Sequence, residues 1–282
     1  MEAAAPAQAQ VMFTLSSLSR QTVDAMLDNI SNLSPAAGRL LYRNDSDDVR
    51  IEIREYENIR WLHIGGEAIQ AAMNVALPDQ LILPINIALL STLLFHERPT
   101  KLLNLGFGIG CFERFFMARI PDLCLTSVES NASIIRLAKK HFFIPDDYPV
   151  VNDNADHFLH NIDQRYSIIL CDIFENERNP SCLSDSRFYY AAYRALDANG
   201  VLAVNLLALS ESDLIAVLLE VRKHFAWVLL LQIPNFGNLI LIALKNEPPP
   251  PGTIDLRAER LSEKLAVDLR RLPAQLQRLP SK

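Results

Sequence analysis

Short apolar runs alternate with longer helical stretches between residues 98 and 246 of the chain. The runs at 168–170 and 201–204 are apolar at every position, as strands of a parallel sheet covered on both faces require. The alternation predicts a doubly wound α/β domain over residues 81–247. The connection at 234–238 is too short for a crossover, so the last two strands should form an antiparallel hairpin. A seven-stranded, mostly parallel sheet is predicted, with strands at 102–105, 125–129, 150–152, 167–172, 201–206, 228–233 and 239–244.

Smaller units flank this domain. Residues 1–35 form a weakly patterned tail, and residues 36–80 a small β domain in which apolar positions recur with period two around a Glu57-Asn58 turn, which predicts a hairpin. The apolar segment 81–95 is shorter than a membrane span needs, so it predicts a buried helix. Residues 248–282 comprise a proline-rich linker and an amphipathic helix over 254–272, which Pro273 should end or kink.

The composition of the chain indicates which ligands, partners and cellular location to expect. Half of the residues are hydrophobic, 21% are charged and the net charge is -6, which favours a folded protein that does not bind nucleic acid through its phosphates. The first 13 residues hold no Lys or Arg, so a secretory signal is not expected and a cytoplasmic location is. The four cysteines form no C-x-x-C pair and are expected to be small buried hydrophobes. His157 and His160 lack a third ligand nearby, so no metal is expected.

A glycine-rich turn follows the first predicted strand and opens a helix. Gly106, Gly108 and Gly110 are spaced G-x-G-x-G, which lets the turn tighten and a ligand approach free backbone N–H groups. A pyrophosphate-binding turn needs its third glycine one place later, where the chain has Cys111, so NAD is disfavoured. Taken alone the turn is a weak signal, and a purely structural strand-turn-helix is its alternative.

Carboxylates end two of the predicted strands. Glu129 follows the glycine turn by about twenty residues and should lie beside it, where it could accept both hydroxyls of a ribose. Asp172 ends the fourth strand, which should neighbour the first, so its carboxylate could face the reactive end of a bound nucleotide and receive a proton from an amine. Glu175 could supply a second anion for a cationic substrate. A helix cap or a solvated strand end is the structural alternative for each.

Together these residues resemble the spermidine synthase-like proteins, polyamine aminopropyltransferases with the class I methyltransferase fold, which is Rossmann-like. The resemblance covers about residues 48–248 and includes Ile69 to Met73, the glycine turn, Val128-Glu129, Phe143-Ile144-Pro145, Asn154-Ala155, Asp172, Phe188-Tyr189 and Gly200-Val201-Leu202.

The resemblance implies an aminopropyl transfer from decarboxylated S-adenosylmethionine to an amine. It also implies a homodimer or homotetramer assembled partly through the small β domain. The glycine turn and Glu129 would hold the nucleoside, Asn154 and Ala155 would flank adenine, and Asp172 would be the base, with Glu175 at a second acidic position.

Several positions depart from the family pattern. Ile109 replaces an Asp within the glycine turn, Pro84 and Ile85 replace an aromatic and a polar residue, and Asn154 replaces an Asp. The segment 233–237 also lacks the expected tyrosine. Two alternatives therefore stay open: a methyltransferase that uses intact S-adenosylmethionine, and a non-catalytic member that binds a nucleoside or a partner protein.

Overall fold

The computed structural model describes residues 38–44, 50–65, 69–175, 178–207, 210–233 and 237–280. The tail predicted over 1–35 lies outside these residues. Within them, no helix has both the length and the apolar character that crossing a membrane requires.

A four-stranded antiparallel sheet comes first in the described chain, in the order β1-β2-β3-β4. The predicted hairpin corresponds to its two central strands, and Glu57 lies in their turn with a φ of 51°. The two outer strands were not predicted. The strands are β1 (Arg39–Asn44), β2 (Ile51–Tyr56), β3 (Ile59–Ile64) and β4 (Ile69–Asn74).

The main sheet confirms the doubly wound prediction. All seven predicted strands are present, and the first and fourth of them, β5 and β8, are paired in parallel. The last two pair antiparallel, as the short connection required. In chain order the strands are β5 (Lys101–Leu105), β6 (Cys124–Glu129), β7 (Val151–Asn152), β8 (Tyr166–Cys171), β9 (Leu196–Leu207), β10 (Trp227–Gln232), β11 (Asn238–Leu244) and β12 (Leu276–Arg278), and across the sheet they are ordered β7-β6-β5-β8-β9-β11-β10-β12.

Helices cover both faces of this sheet, and polar side chains begin several of them. Asn131, Asn154, Asp185 and Ser210 each accept backbone N–H bonds at a helix start, which satisfies groups that have no partner within the helix. The helices are α1 (Pro84–Leu89), α2 (Cys111–Arg119), α3 (Ala132–His141), α4 (Ala155–His160), α5 (Ser186–Ala195), α6 (Glu211–Val221), α7 (Pro251–Leu265) and α8 (Leu272–Gln275).

Two helix predictions were wrong in extent. The segment expected as one helix over 81–95 forms α1 from Pro84 and then a 3₁₀ helix at Leu90–Leu94, because proline favours the first helical position. In the tail, α7 ends before Ala266, whose φ is 52°. Pro273 does not end a helix but lies in the first turn of α8, after which β12 adds an eighth strand beside β10.

The two sheets pack on each other through a shared apolar cluster. Residues of β2, β3 and β4 contact residues of the glycine turn and of α3 in this cluster. Because the cluster joins the small sheet to the carboxyl ends of β5 and β6, it forms the floor between them. Its buried members are Ile51, Ile53, Leu62, Met73, Ile109, Ile134, Leu137 and Phe142.

Candidate active site

A cleft of about 420 Å³ opens at the carboxyl ends of the parallel strands, facing the small sheet. This is the usual place for a ligand in an open α/β sheet. The cleft brings together every site residue predicted from the sequence except Gly110, the last glycine of the turn, which does not line it. Lining it are Gly106, Gly108, Glu129, Asn154, Ala155, Asp172 and Glu175, with Ile109 and Asn86 also at its wall.

The glycine turn is shaped by close backbone contacts. Gly106 has a φ of 95°, and a Cβ there would lie 2.1 Å from the Asp172 carbonyl oxygen, so only glycine lets β5 and β8 end side by side. Gly108 has a φ of 55° and open space where a Cβ would point. Gly110 is the N-cap of α2, and a Cβ there would collide with Ile144. Gly108 therefore leaves its backbone accessible from the cleft.

Glu129 lies beside this turn. One carboxylate oxygen accepts the Gly108 N–H at 3.0 Å and the other accepts the Asn131 N–H at 2.9 Å. A carboxylate oxygen can accept two hydrogen bonds, so each keeps one position open to a ligand hydroxyl. The arrangement that the sequence predicted, a carboxylate converging with a glycine turn, is present in the structure.

Asp172 follows β8 directly and is partly exposed to the cleft. Its Oδ1 accepts a 2.8 Å hydrogen bond from the Asn205 side-chain amide, and Asn205 in turn accepts one from Asn238 at 3.0 Å. Burial raises the pKa of Asp172, and the Asn205 bond partly opposes that rise. Asp172 is thus a held carboxylate with one oxygen available and with more basic character than a solvated Asp.

The remaining predicted residues differ in their local roles. Asn154 uses its side-chain oxygen to accept the N–H groups of Asp156 and His157 at the start of α4. The structural alternative of a helix cap is therefore realised at this position, and the side chain is engaged there. Ala155 is buried beside it. Glu175 is exposed at the cleft rim and pairs through its backbone with Arg178.

The cysteine prediction was only partly correct. Cys171 is buried, whereas Cys111 and Cys182 are half-buried at the cleft wall and Cys124 is exposed. Cys124 begins β6, where the strand pairs with β5 but β7 does not extend far enough to cover its other edge. All four are free thiols, and no cluster of potential metal ligands occurs in the described part of the chain.

A buried polar network under the glycine turn was not predicted. Glu113 lies in the first turn of α2 with no solvent exposure, and its Oε1 accepts bonds from Asn104 (2.8 Å) and Ser127 (2.7 Å). Its Oε2 and the Asn104 Oδ1 are both buried with no partner among the described residues. Burial raises the Glu113 pKa. A proton on Glu113 Oε2 could be donated to Asn104 Oδ1, so that the acid and the amide share two hydrogen bonds. These bonds would connect β5, before the glycine turn, to α2, after it.

Replacing Glu113 with Gln should therefore preserve this network and remove its pH dependence. Because the folded-state pKa is raised, the wild-type stabilisation is complete below the unfolded value of about 4.5 and is lost as pH rises through the folded value. The glutamine amide donates at every pH. We expect the melting temperature of Glu113→Gln to match wild type at acidic pH and to exceed it at alkaline pH by several degrees, since 1 kcal/mol corresponds to about 2–4 °C in a domain of this size.

The matched control for this prediction is Glu263→Gln, which changes an exposed glutamate of α7. It should leave the pH profile of the melting temperature unchanged. A Glu113→Gln protein whose melting temperature is below wild type at every pH would show instead that the carboxylate is ionised in the fold.

The chain is similar to known proteins over most of its length. No family model matches it. The polyamine aminopropyltransferase of Neisseria meningitidis serogroup A is 29% identical over 238 residues, which span 80% of this chain and 88% of that protein.

Solved structures share the fold. A probable spermidine synthase from Corynebacterium glutamicum superposes with a TM-score of 0.67 at 19% identity, over 87% of this chain and 91% of its own. The spermidine synthase from Thermotoga maritima gives a TM-score of 0.62 at 18% identity, over 86% and 85%. The chain is therefore similar in sequence to a polyamine aminopropyltransferase along most of its length, and it has the class I methyltransferase-like fold of the spermidine synthases.

Proposed function

We propose that this protein is an aminopropyltransferase that moves the aminopropyl group of decarboxylated S-adenosylmethionine to an amine. The observation that supports this most is the meeting of the glycine turn, Glu129 and Asp172 in one cleft. The relatives named polyamine aminopropyltransferase supply the reaction class. The nucleoside occupies the end formed by the glycine turn, Glu129, Asn154 and Ala155, and the reacting carbon faces Asp172.

The charge of the cleft favours the decarboxylated donor. Four of the described lining residues are acidic, namely Glu129, Asp153, Asp172 and Glu175, and none of the described lining residues is Lys, Arg or His. Intact S-adenosylmethionine brings a carboxylate that would find no cation there, whereas the decarboxylated form brings only positive charges. Like charges brought together in a half-closed cleft disfavour binding.

The proposed reaction is a direct displacement. The lone pair of a neutral amine attacks the aminopropyl methylene carbon that is attached to the sulfonium sulfur, the C–N bond forms, and the bond from this carbon to sulfur breaks with its electron pair passing to sulfur. Asp172 accepts the proton that the amine loses, and Glu175 attracts a second cationic end of the acceptor. Methylthioadenosine leaves as a neutral thioether, so catalysis consists mainly of positioning and proton removal.

One observation favours a second candidate. Ile109 is 1% exposed within an apolar cluster, so the glycine turn offers no carboxylate for the amine of the donor. A methyltransferase that uses intact S-adenosylmethionine needs none there. The charge of the rest of the cleft opposes this candidate, and the two reactions give different products.

Product analysis separates the two reactions. The protein is incubated with linear diamines and either form of S-adenosylmethionine, and the products are identified by mass spectrometry. We expect methylthioadenosine and an aminopropylated amine in equal amounts from the decarboxylated form alone. S-adenosylhomocysteine and a methylated amine from the intact form would overturn the proposal in favour of the methyltransferase, and the absence of both products would favour a non-catalytic binding protein.

Assembly and location follow as part of the same proposal. A homodimer or homotetramer through the small sheet is supported by two exposed apolar side chains, Leu40 on the outer strand β1 and Tyr56 at the end of the central strand β2. A cytoplasmic location suits an activity on small nitrogenous metabolites. The chain divides functionally into the small β domain over 36–80, the nucleoside-binding domain over 81–247 and the C-terminal segment over 248–282.

A further inference from the structure

The amine of the transferred group needs a partner in the cleft, a requirement that rests on the proposed function. In decarboxylated S-adenosylmethionine this amine is a charged ammonium at the far end of the propyl chain. An ammonium that leaves water must recover its hydrogen bonds from the protein. The four cleft carboxylates are divided between the nucleoside end and the acceptor end, so another acceptor has to be sought on the wall.

The glycine turn does not provide it. Ile109, the side chain at the centre of the turn, contacts Ile134 and Leu137 of α3 within the apolar cluster. It has no polar atom and is almost fully buried. The acceptor therefore lies on another element.

Asn86 of α1 has the required properties. The residue is 7% exposed and lines the cleft. Its side-chain amide has no hydrogen bond within the described part of the chain, and its polar atoms are not among the fully enclosed ones, so they stay accessible to a ligand. Most buried polar side chains are paired, so an unpaired amide at a cleft wall indicates a ligand. Gln70 also lines the cleft but is more exposed.

The position of α1 agrees with this role. The helix packs against β9 and β11, the two strands that contribute Asn205 and Asn238 to the support of Asp172. Asn86 is therefore on the Asp172 side of the cleft. Glu129 ends β6, on the opposite side of β5.

We propose that Asn86 is a specificity-determining residue whose Oδ1 accepts a hydrogen bond from the ammonium of the donor's aminopropyl group. Its backbone is already committed to α1, so only the side chain changes its partners when the ligand binds. A neutral amide at this place recognises the ammonium by hydrogen bonding, and the surrounding carboxylates supply the attraction for its charge.

The test compares a ligand that carries the aminopropyl group on a sulfonium with one that lacks this group and has a neutral sulfur. Wild type and Asn86→Leu are titrated calorimetrically with decarboxylated S-adenosylmethionine and with methylthioadenosine. Leucine keeps the branching and the number of heavy atoms and removes the amide. We expect the affinity for the decarboxylated donor to fall about 10- to 100-fold, as the loss of a hydrogen bond to a charged group predicts. The affinity for methylthioadenosine should stay within about 3-fold, because that ligand has no ammonium.

Two further variants fix the interpretation. Asn86→Asp keeps an acceptor oxygen and should retain at least wild-type affinity for the donor. Ser91→Ala removes a buried hydroxyl that has no partner among the described residues. Ser91 lies in the 3₁₀ helix that follows α1, away from the cleft, so the substitution should change neither affinity. Equal losses for both ligands in Asn86→Leu, or no loss for either, would overturn the assignment. The proposed function fails separately, when wild type forms no aminopropylated product.

Discussion

Asp172→Asn should reduce turnover about 10²- to 10⁴-fold, the range expected when a general base is removed. The substitution keeps an Oδ1 that can still accept the Asn205 amide, so the local structure should survive. The affinity for methylthioadenosine should stay close to wild type, because the nucleoside end of the cleft is formed by other residues. Steady-state kinetics and titration of the same preparation measure both quantities.

The pH profile adds a second readout. Burial raises the pKa of Asp172, and the base acts only when deprotonated, so wild-type kcat/KM should fall as pH decreases through this raised value. Asp185→Asn is the matched control, since it changes a carboxylate that caps α5 outside the cleft. If Asp172→Asn kept turnover within about 3-fold of wild type, proton transfer to Asp172 would have no part in the reaction.

Much of the main sheet could be predicted from the sequence because its strands are buried on both faces. All six residues of β8 are buried, and its central run from Ile168 to Leu170 is apolar at every position, so the strand is visible in the sequence. The strands β1 and β4 lack this signal. No residue of β1 and only half of the residues of β4 are buried, and their sequences RLLYRN and IQAAMN do not alternate. The three residues of β12 are too few for any periodicity to appear.

The site divides in the same way. Gly106, Glu129 and Asp172 could be found because each follows a predicted strand, and strand order places their ends together. Asn205 could not be found, because its contact with Asp172 joins residues 33 positions apart. Asn86 and Glu113 were missed for a related reason. Each occupies a helix whose apolar neighbours dominate the pattern, and only the packed structure shows that their polar atoms are buried.

The loss of Glu129 should have the largest effect on binding. In Glu129→Ala we expect the affinity for methylthioadenosine to fall about 100-fold or more, since two hydrogen bonds from ribose hydroxyls to one carboxylate are lost together. The Gly108 and Asn131 N–H groups also lose their acceptor. Glu129→Gln is the conservative comparison, because it retains one carbonyl oxygen and should lose less.

The most direct test of a nucleoside held between the glycine turn and Glu129 combines this variant with an altered ligand. Wild type and Glu129→Ala are titrated with methylthioadenosine and with its 2′-deoxy analogue. Removing the hydroxyl should weaken binding to wild type about 10-fold and leave binding to Glu129→Ala almost unchanged, because the two partners of one hydrogen bond are coupled. Equal penalties in both proteins would mean that Glu129 does not contact the ribose, and the proposed orientation of the nucleotide in the cleft would be contradicted.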